Sequence, residues 1–144
     1  MITTTRDGRC QAVSIDGGPT VAMLDPRKLT YALDGRDYVV RRVGNVTPAY
    51  ELWRGDDKLA ALTPHWPPDR YTLTVAEREW IVQREGFGAQ RYGLFAGEER
   101  VGEVKSARRW FRADLVADLP ADVAREIHVF LIWFALWQFN DPGT

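Results

Sequence analysis

The sequence is poor in the residues and segments that mark several large classes of protein. It has one cysteine, Cys10, so an internal disulfide is impossible and a reducing cytoplasm is the expected location. The opening residues, MITTTRDGRC, contain no apolar core, so no secretory signal is expected. The net charge is −1, which gives no bulk electrostatic reason to expect nucleic acid as a partner. These shortages favour a cytoplasmic protein without a specific nucleic-acid partner.

Groups that could perform catalysis or bind metal are also scarce. Of the two histidines, His65 lies in a proline-rich stretch and is predicted at the surface or in a turn. His128 borders an apolar run and is predicted to be a neutral, hydrogen-bonded core residue. Neither belongs to a metal-ligand or nucleophile–base motif, and no glycine-rich phosphate loop is present. We therefore expect no catalytic residue, metal or cofactor, with a small hydrolase of unrecognised site as the enzymatic alternative.

The sequence does contain enough apolar material for one folded domain over residues 1–144. Hydrophobic residues make up 45% of the chain and charged residues 27%, which is ordinary for a globular protein. Aromatic residues reach 12% and include six tryptophans, so the core should be rich in large rings.

A short pattern, Tyr-x-Leu, recurs through the middle of the chain at intervals of about 20 residues. In a strand the tyrosine and the leucine face the same side, and turn residues usually follow each copy. Strand, turn and strand in this length predict β-hairpins, with strands over about residues 10–117. We favour core packing for the tyrosines over ligand contact. The copies are Tyr31-Ala32-Leu33, Tyr50-Glu51-Leu52, Tyr71-Thr72-Leu73 and Tyr92-Gly93-Leu94.

Two features qualify the hairpin pattern. The third copy is followed by TVAEREW, which has no glycine, so its turn is the least well marked. Several prolines fall where connections are predicted, and residues 63–70, TPHWPPDR, are predicted to form a rigid connection rather than a strand. The prolines assigned to connections are Pro26, Pro48, Pro64, Pro67 and Pro68.

The end of the chain carries a segment that is apolar on every side of a helix. Residues 129–137 are all apolar, residues 119–122 are predicted to begin the helix, and residues 140–143 to end it. Such a helix is buried on all sides or lies in lipid. A span of the bilayer needs about 20 apolar residues, so this shorter run predicts a helix inside its own protein, over about residues 120–139.

A wide barrel can hold a helix of this kind. A helix is about 10–12 Å across with its side chains, and cans of about eleven strands hold a central helix. The sequence therefore predicts a mainly β fold, a closed antiparallel barrel of about 10–12 strands enclosing a hydrophobic C-terminal α-helix. Tyr-x-Leu hairpins followed by LPADVAREIHVFLIWFALWQF resemble the tubby C-terminal-like superfamily, which includes tubby proteins, phospholipid scramblases and LURP-one-related proteins. The resemblance implies a closed barrel of about twelve strands around a C-terminal helix.

One cluster of basic and aromatic residues is the candidate ligand-binding site. Arginine suits phosphate through its planar fork, and tryptophan favours membrane interfaces. The cluster could hold an anionic lipid head group or nucleic-acid phosphate, and we favour association with anionic phospholipid at a membrane surface. The alternative is a solvated loop between two strands, with Trp110 turned into the core. A barrel carrying a small apolar or amphipathic ligand is a second hypothesis. The cluster, KSARRWFR, contains Lys105, Arg108, Arg109, Trp110 and Arg112.

Overall fold

A computed structural model of the chain describes residues 1–25, 27–44, 46–65, 69–85, 90–106 and 115–139. Within these residues lie twelve β-strands and one α-helix, α1. The elements are β1 Ile2–Asp7, β2 Cys10–Ile15, β3 Thr20–Leu24, β4 Thr30–Leu33, β5 Arg36–Val43, β6 Ala49–Arg54, β7 Asp57–His65, β8 Arg70–Val75, β9 Arg78–Arg84, β10 Arg91–Ala96, β11 Glu99–Ser106, β12 Leu115–Asp118 and α1 Arg125–Phe139.

The strands form a closed antiparallel barrel in which each strand pairs with its neighbours in sequence. Closure comes from β1 and β12, where Ile2 is opposite Ala117 and Thr3 is opposite Val116. Nearby, the buried Thr4 hydroxyl accepts a hydrogen bond of 2.9 Å from the N–H of Leu115. The predicted closed barrel with an enclosed C-terminal helix is confirmed.

The helix runs through the barrel from one end to the other. At the end where it begins, Arg125 pairs with Asp34 of the β4–β5 turn at 3.1 Å. At the end where it finishes, Phe139 stacks on Tyr92 near the start of β10, with ring centroids 5.7 Å apart. We call these the helix-start end and the helix-finish end. The β2–β3, β4–β5, β6–β7, β8–β9 and β10–β11 connections lie at the helix-start end.

The Tyr-x-Leu copies occupy β4, β6, β8 and β10 and point into the barrel. All four tyrosines are at most 5% exposed and all four leucines at most 2%. The hydroxyl of Tyr31 donates to the backbone oxygen of Glu126 at 3.1 Å, which ties the sheet to the helix. Burial raises the pKa of Tyr31, Tyr71 and Tyr92, so their hydroxyls stay protonated at neutral pH. The interpretation of these tyrosines as core residues is confirmed.

The helix is buried on all of its faces over most of its length. Trp133 is 0% exposed, and its indole N–H donates to the backbone oxygen of Lys28 at 2.9 Å. Burial of this kind matches a helix that is apolar all round and has no solvent-facing stripe. The buried residues of α1 are Ile127, Val129, Phe130, Leu131, Ile132, Trp133, Phe134, Ala135 and Leu136.

Two predicted boundaries were wrong. A strand, β1, precedes residue 10, where no strand was expected, because its pattern ITTTRD has only one large apolar residue. The helix begins at Arg125 rather than near Pro120, since Pro120 belongs to a preceding turn. The Pro120 carbonyl there accepts the N–H of Val123 at 3.2 Å and the ring N–H of His128 at 2.9 Å.

The prediction that residues 63–70 form only a connection was also wrong. Strand β7 continues to His65, with Pro64 opposite Tyr71, and β8 begins at Arg70. The ladder between β6 and β7 stops at Tyr50 and Leu62, so Pro64 lies beyond β6 and breaks no ladder bond on that side. Pro48 does lie in a connection, while Pro26, Pro67 and Pro68 fall outside the described residues.

The β8–β9 turn holds an alanine in a conformation that suits glycine. Gly8, Gly55 and Gly97 take the first position of three other two-residue turns with φ of 60–63°, and Ala76 takes the equivalent position with φ of 53°. A side chain in this left-handed region costs about 1–2 kcal/mol. Replacing Ala76 with glycine should therefore raise the free energy of unfolding by about 0.5–1 kcal/mol, measured by denaturant titration.

Glu77 provides the matched control for this prediction. Among described non-glycine residues, positive φ is confined to Asp16, Asp34 and Ala76, so Glu77 has no need of glycine. Glu77→Gly should lower the free energy of unfolding, because it adds freedom to the unfolded chain without relieving strain. A loss of stability in Ala76→Gly would refute this reading of the turn.

Candidate functional site

Lys105 is the part of the predicted basic-aromatic cluster that the structure describes. It lies near the end of β11, with its side chain 40% exposed on the outer face of the barrel. The other four members, Arg108, Arg109, Trp110 and Arg112, lie outside the described residues. Since β11 finishes at the helix-finish end, Lys105 places the start of the cluster at that end of the barrel.

A shared carboxylate holds the surroundings of Lys105 together. Glu103 lies 3.5 Å from the Lys105 ammonium, 2.9 Å from Arg100 and 3.7 Å from Arg91. Partial burial acts to raise the pKa of Glu103, but the charges of Lys105 and Arg100, with the hydrogen bond from Arg100 and the charge of Arg91, together hold it below its usual range. Arg100 also pairs with Glu85 at 3.0 Å. Three cations share two carboxylates here, and one of the three, Arg100, reaches the group from the helix-start end of β11.

Four neighbouring strands each bring a basic side chain to the helix-finish end. Arg70 begins β8, Arg84 ends β9, Arg91 begins β10 and Lys105 lies one residue before the end of β11. Arg91 and Lys105 are directly opposite each other in the ladder, while Arg84 is opposite Tyr92 on the other side of β10. Antiparallel strands therefore gather cations that are far apart in sequence. Sequence reasoning missed Arg70, Arg84 and Arg91 because each stands alone in its own segment.

This clustering is part of a separation of charge along the whole barrel axis. Among the described residues, the charged side chains within two residues of a connection differ in sign between the two ends. Basic residues outnumber acidic ones at the helix-finish end. The basic ones are Arg6, Arg9, Arg27, Lys28, Arg42, Arg70, Arg84, Arg91 and Lys105, and the acidic ones are Asp7, Asp25, Asp69 and Glu85.

The balance is reversed at the helix-start end. Every connection there carries at least one carboxylate, including each of the five hairpin turns. The protein is therefore nearly neutral overall but has one basic and one acidic end. The acidic residues are Asp16, Asp34, Asp37, Asp56, Asp57, Glu77, Glu79, Glu98, Glu99, Asp118, Asp122 and Glu126, and the basic ones are Arg36, Arg54, Lys58, Arg78, Arg100 and Arg125.

His65 lies at the surface, as predicted, whereas His128 is hydrogen-bonded as predicted but is not part of the core. His65 is exposed at the end of β7 and hydrogen-bonds with the hydroxyl of Thr72. His128 is half-buried, and its ring N–H donates to the Pro120 carbonyl at 2.9 Å. Burial lowers the pKa of His128 against the opposing effect of that hydrogen bond, so the ring is neutral at pH 7. Each histidine ring therefore has a structural hydrogen-bond partner.

A small, partly open pocket beside the helix bears on the hypothesis of a carried ligand. Its volume is about 10 Å³, which is space for roughly one water molecule. A pocket of this size gives the carrier hypothesis no support. It is lined by Val82, Tyr92, Gly93, Leu94, Val104, Leu119, Leu131 and Phe134.

Two findings remain: the length of the helix, and the comparison of the chain with known proteins. Within the described ranges, no helix has both the length and the apolar character needed to cross a bilayer. The helix α1 has fifteen residues, and its apolar side chains from Ile127 to Leu136 are buried inside the barrel. No protein-family model, no curated protein and no solved structure matches the chain.

Proposed function

We propose that the protein is a non-enzymatic binding module that associates with anionic phospholipid at a membrane surface through the helix-finish end of its barrel. The observation that supports this is the separation of charge between the two ends. A net charge of −1 gives no overall attraction to an anionic surface, but an end-on approach presents the basic end alone. The acidic end is then held at the far side of the barrel.

The length of the barrel makes this separation effective. A strand rises about 3.3 Å per residue and barrel strands tilt by about 35–45°, so the longer strands, of six to nine residues, separate the two ends by roughly 15–20 Å along the axis. The Debye length is about 8 Å at physiological ionic strength, so the far acidic end is largely screened from the surface. Each lysine or arginine close to an anionic membrane contributes about 1 kcal/mol. The excess of cations at the helix-finish end can therefore supply both binding and orientation.

Family membership and location belong to the same proposal. A closed barrel of twelve strands around a C-terminal helix is the fold that the resemblance to the tubby C-terminal-like superfamily implied. Membership of that superfamily would make this chain a short version of the fold. We further propose a cytoplasmic location, peripheral to the membrane, since the single cysteine suits a reducing compartment.

Co-sedimentation with vesicles tests the proposal. The wild-type chain should sediment with vesicles that contain phosphatidylserine and not with phosphatidylcholine alone, and added salt should release it. Arg42→Glu/Arg70→Glu reverses two exposed charges at the helix-finish end and should weaken binding by at least about tenfold. Arg108→Glu/Arg109→Glu, within the predicted cluster, should have the same effect.

A matched double variant at the other end provides the control. Arg36→Glu/Arg54→Glu changes the net charge by the same amount at the helix-start end and should bind nearly as the wild type does. Sedimentation that is indifferent to anionic lipid would contradict the proposal. Equal losses in the variants of the two ends would also contradict it, because binding would then depend on net charge alone.

A further inference from the structure

The connection between β5 and β6 carries the most exposed large apolar side chain in the described part of the protein. Val46 is 95% exposed and Val43, the last residue of β5, is 50% exposed. Both lie at the helix-finish end, which is also the basic end. A single exposed valine is ordinary on a protein surface, but here one valine lies in the last rung of the β5–β6 ladder and a second lies three residues beyond it.

The backbone fixes where this apolar tip begins. Val43 is opposite Ala49 in the last pair of the β5–β6 ladder, so the residues after Val43 lie past the end of the sheet. Gly44 follows with φ of 96°, a conformation that a residue with a side chain adopts only under strain. A Cβ built at Gly44 would lie 3.8 Å from the Cα of Pro48, so the two arms of the connection are close together. Val46 is therefore at the tip of a narrow connection.

Basic side chains lie directly behind this tip. Arg41 and Arg42 are exposed at the end of β5, and the Arg41 guanidinium lies over the ring of Trp53, 4.1 Å from its centroid. The next connection at this end, between β3 and β4, adds Arg27, which is 60% exposed and pairs with Asp25 at 3.2 Å. An apolar tip with cations behind it is suited to the boundary between lipid head groups and acyl chains, because both parts find a favourable environment at their own depth.

We infer that Val43 and Val46 enter the surface of an anionic bilayer while Arg41 and Arg42 remain at the level of the phosphates. This inference rests on the proposed function and adds to it an insertion element and an orientation. The barrel axis would stand on the membrane with the hairpin turns of the acidic end farthest away. Purely electrostatic docking would use the same cations but would leave Val46 in water.

Vesicle binding of full-length variants tests the role of the tip. Val46→Asp should weaken sedimentation with phosphatidylserine vesicles by roughly tenfold, because it removes apolar burial and adds a repelled charge. Val39→Asp makes the same change at a 40% exposed valine on the barrel wall and should have little effect. Thermal melting of both variants checks that each remains folded.

A fluorescent label reports insertion directly. In a Cys10→Ser background, a polarity-sensitive dye attached through Val46→Cys should shift to the blue with phosphatidylserine vesicles. The same dye attached through Asp56→Cys, in a turn at the acidic end, should not shift. Sedimentation of the wild type without a shift at position 46, or equal losses in the two aspartate variants, would overturn the insertion and leave the proposed function standing. A wild-type chain that does not sediment with anionic vesicles would overturn both.

Discussion

Replacing Phe134 with alanine should lower the free energy of unfolding by about 3–5 kcal/mol. Phe134 is 1% exposed at the centre of the helix, and its ring contacts three tyrosines of the Tyr-x-Leu copies. The ring centroids lie 5.6 Å from Tyr50, 4.8 Å from Tyr71 and 5.3 Å from Tyr92. Truncation would leave a cavity bounded by three different strands, which a closed barrel cannot easily collapse to fill.

Denaturant titration of the full chain measures this loss, and Phe139 offers a matched control. Phe139 is half-buried at the last turn of the helix and stacks on Tyr92 alone among the described rings. Phe139→Ala should therefore cost clearly less than Phe134→Ala. Equal losses for the two variants, or a loss below about 1 kcal/mol for Phe134→Ala, would mean that the helix centre is not enclosed as described.

The sequence predicted the architecture because two independent patterns required the same solution. The spacing of tyrosine and leucine in each copy places both side chains on one face of a strand, and the structure has all of them in the core. The apolar run at residues 129–137 covers every face of a helix, so that helix needed surroundings on all sides. Only a sheet that closes on itself could supply those surroundings, which is why the barrel followed from sequence.

Strand boundaries depended on contacts that a local pattern does not contain. β1 is amphipathic only weakly, and it is a strand because Ile2 and Thr3 close the barrel against β12. The Pro120 carbonyl accepts hydrogen bonds from Val123 and His128, so Pro120 belongs to a turn and the helix begins after it. The β1–β12 pairing could not be read from the residues on their own, because it joins distant parts of the chain through folded geometry.

The candidate site was predicted only in part for a related reason. Lys105 belongs to a run of basic residues that composition alone made visible, whereas Arg70 and Arg84 stand singly in polar segments. Their grouping appears only when strand direction is known, since alternate strand ends then meet at one end of the barrel. A near-zero net charge hid this asymmetry, although an alternation of basic and acidic residues at successive strand ends was present in the sequence.

Ending the chain at Asp118 should abolish folding altogether. The remaining residues would keep every strand but lose α1, whose buried side chains fill the barrel. A domain is stable by only about 5–15 kcal/mol, which is less than the burial of so many large apolar side chains contributes. The strands would also expose the inward faces of four buried tyrosines and four buried leucines, which favours aggregation. A chain ending at Phe139 retains every described residue and serves as the control.

The unfolding transition of the chain that ends at Asp118 tests most directly whether the helix is the core of this barrel. Near-ultraviolet circular dichroism during heating reports the packing of the aromatic rings. We expect the shortened chain to be insoluble or to show no cooperative transition, while the chain ending at Phe139 melts cooperatively. A soluble chain of residues 1–118 with a cooperative transition would show that the strands form a stable sheet without the helix, and would contradict the account.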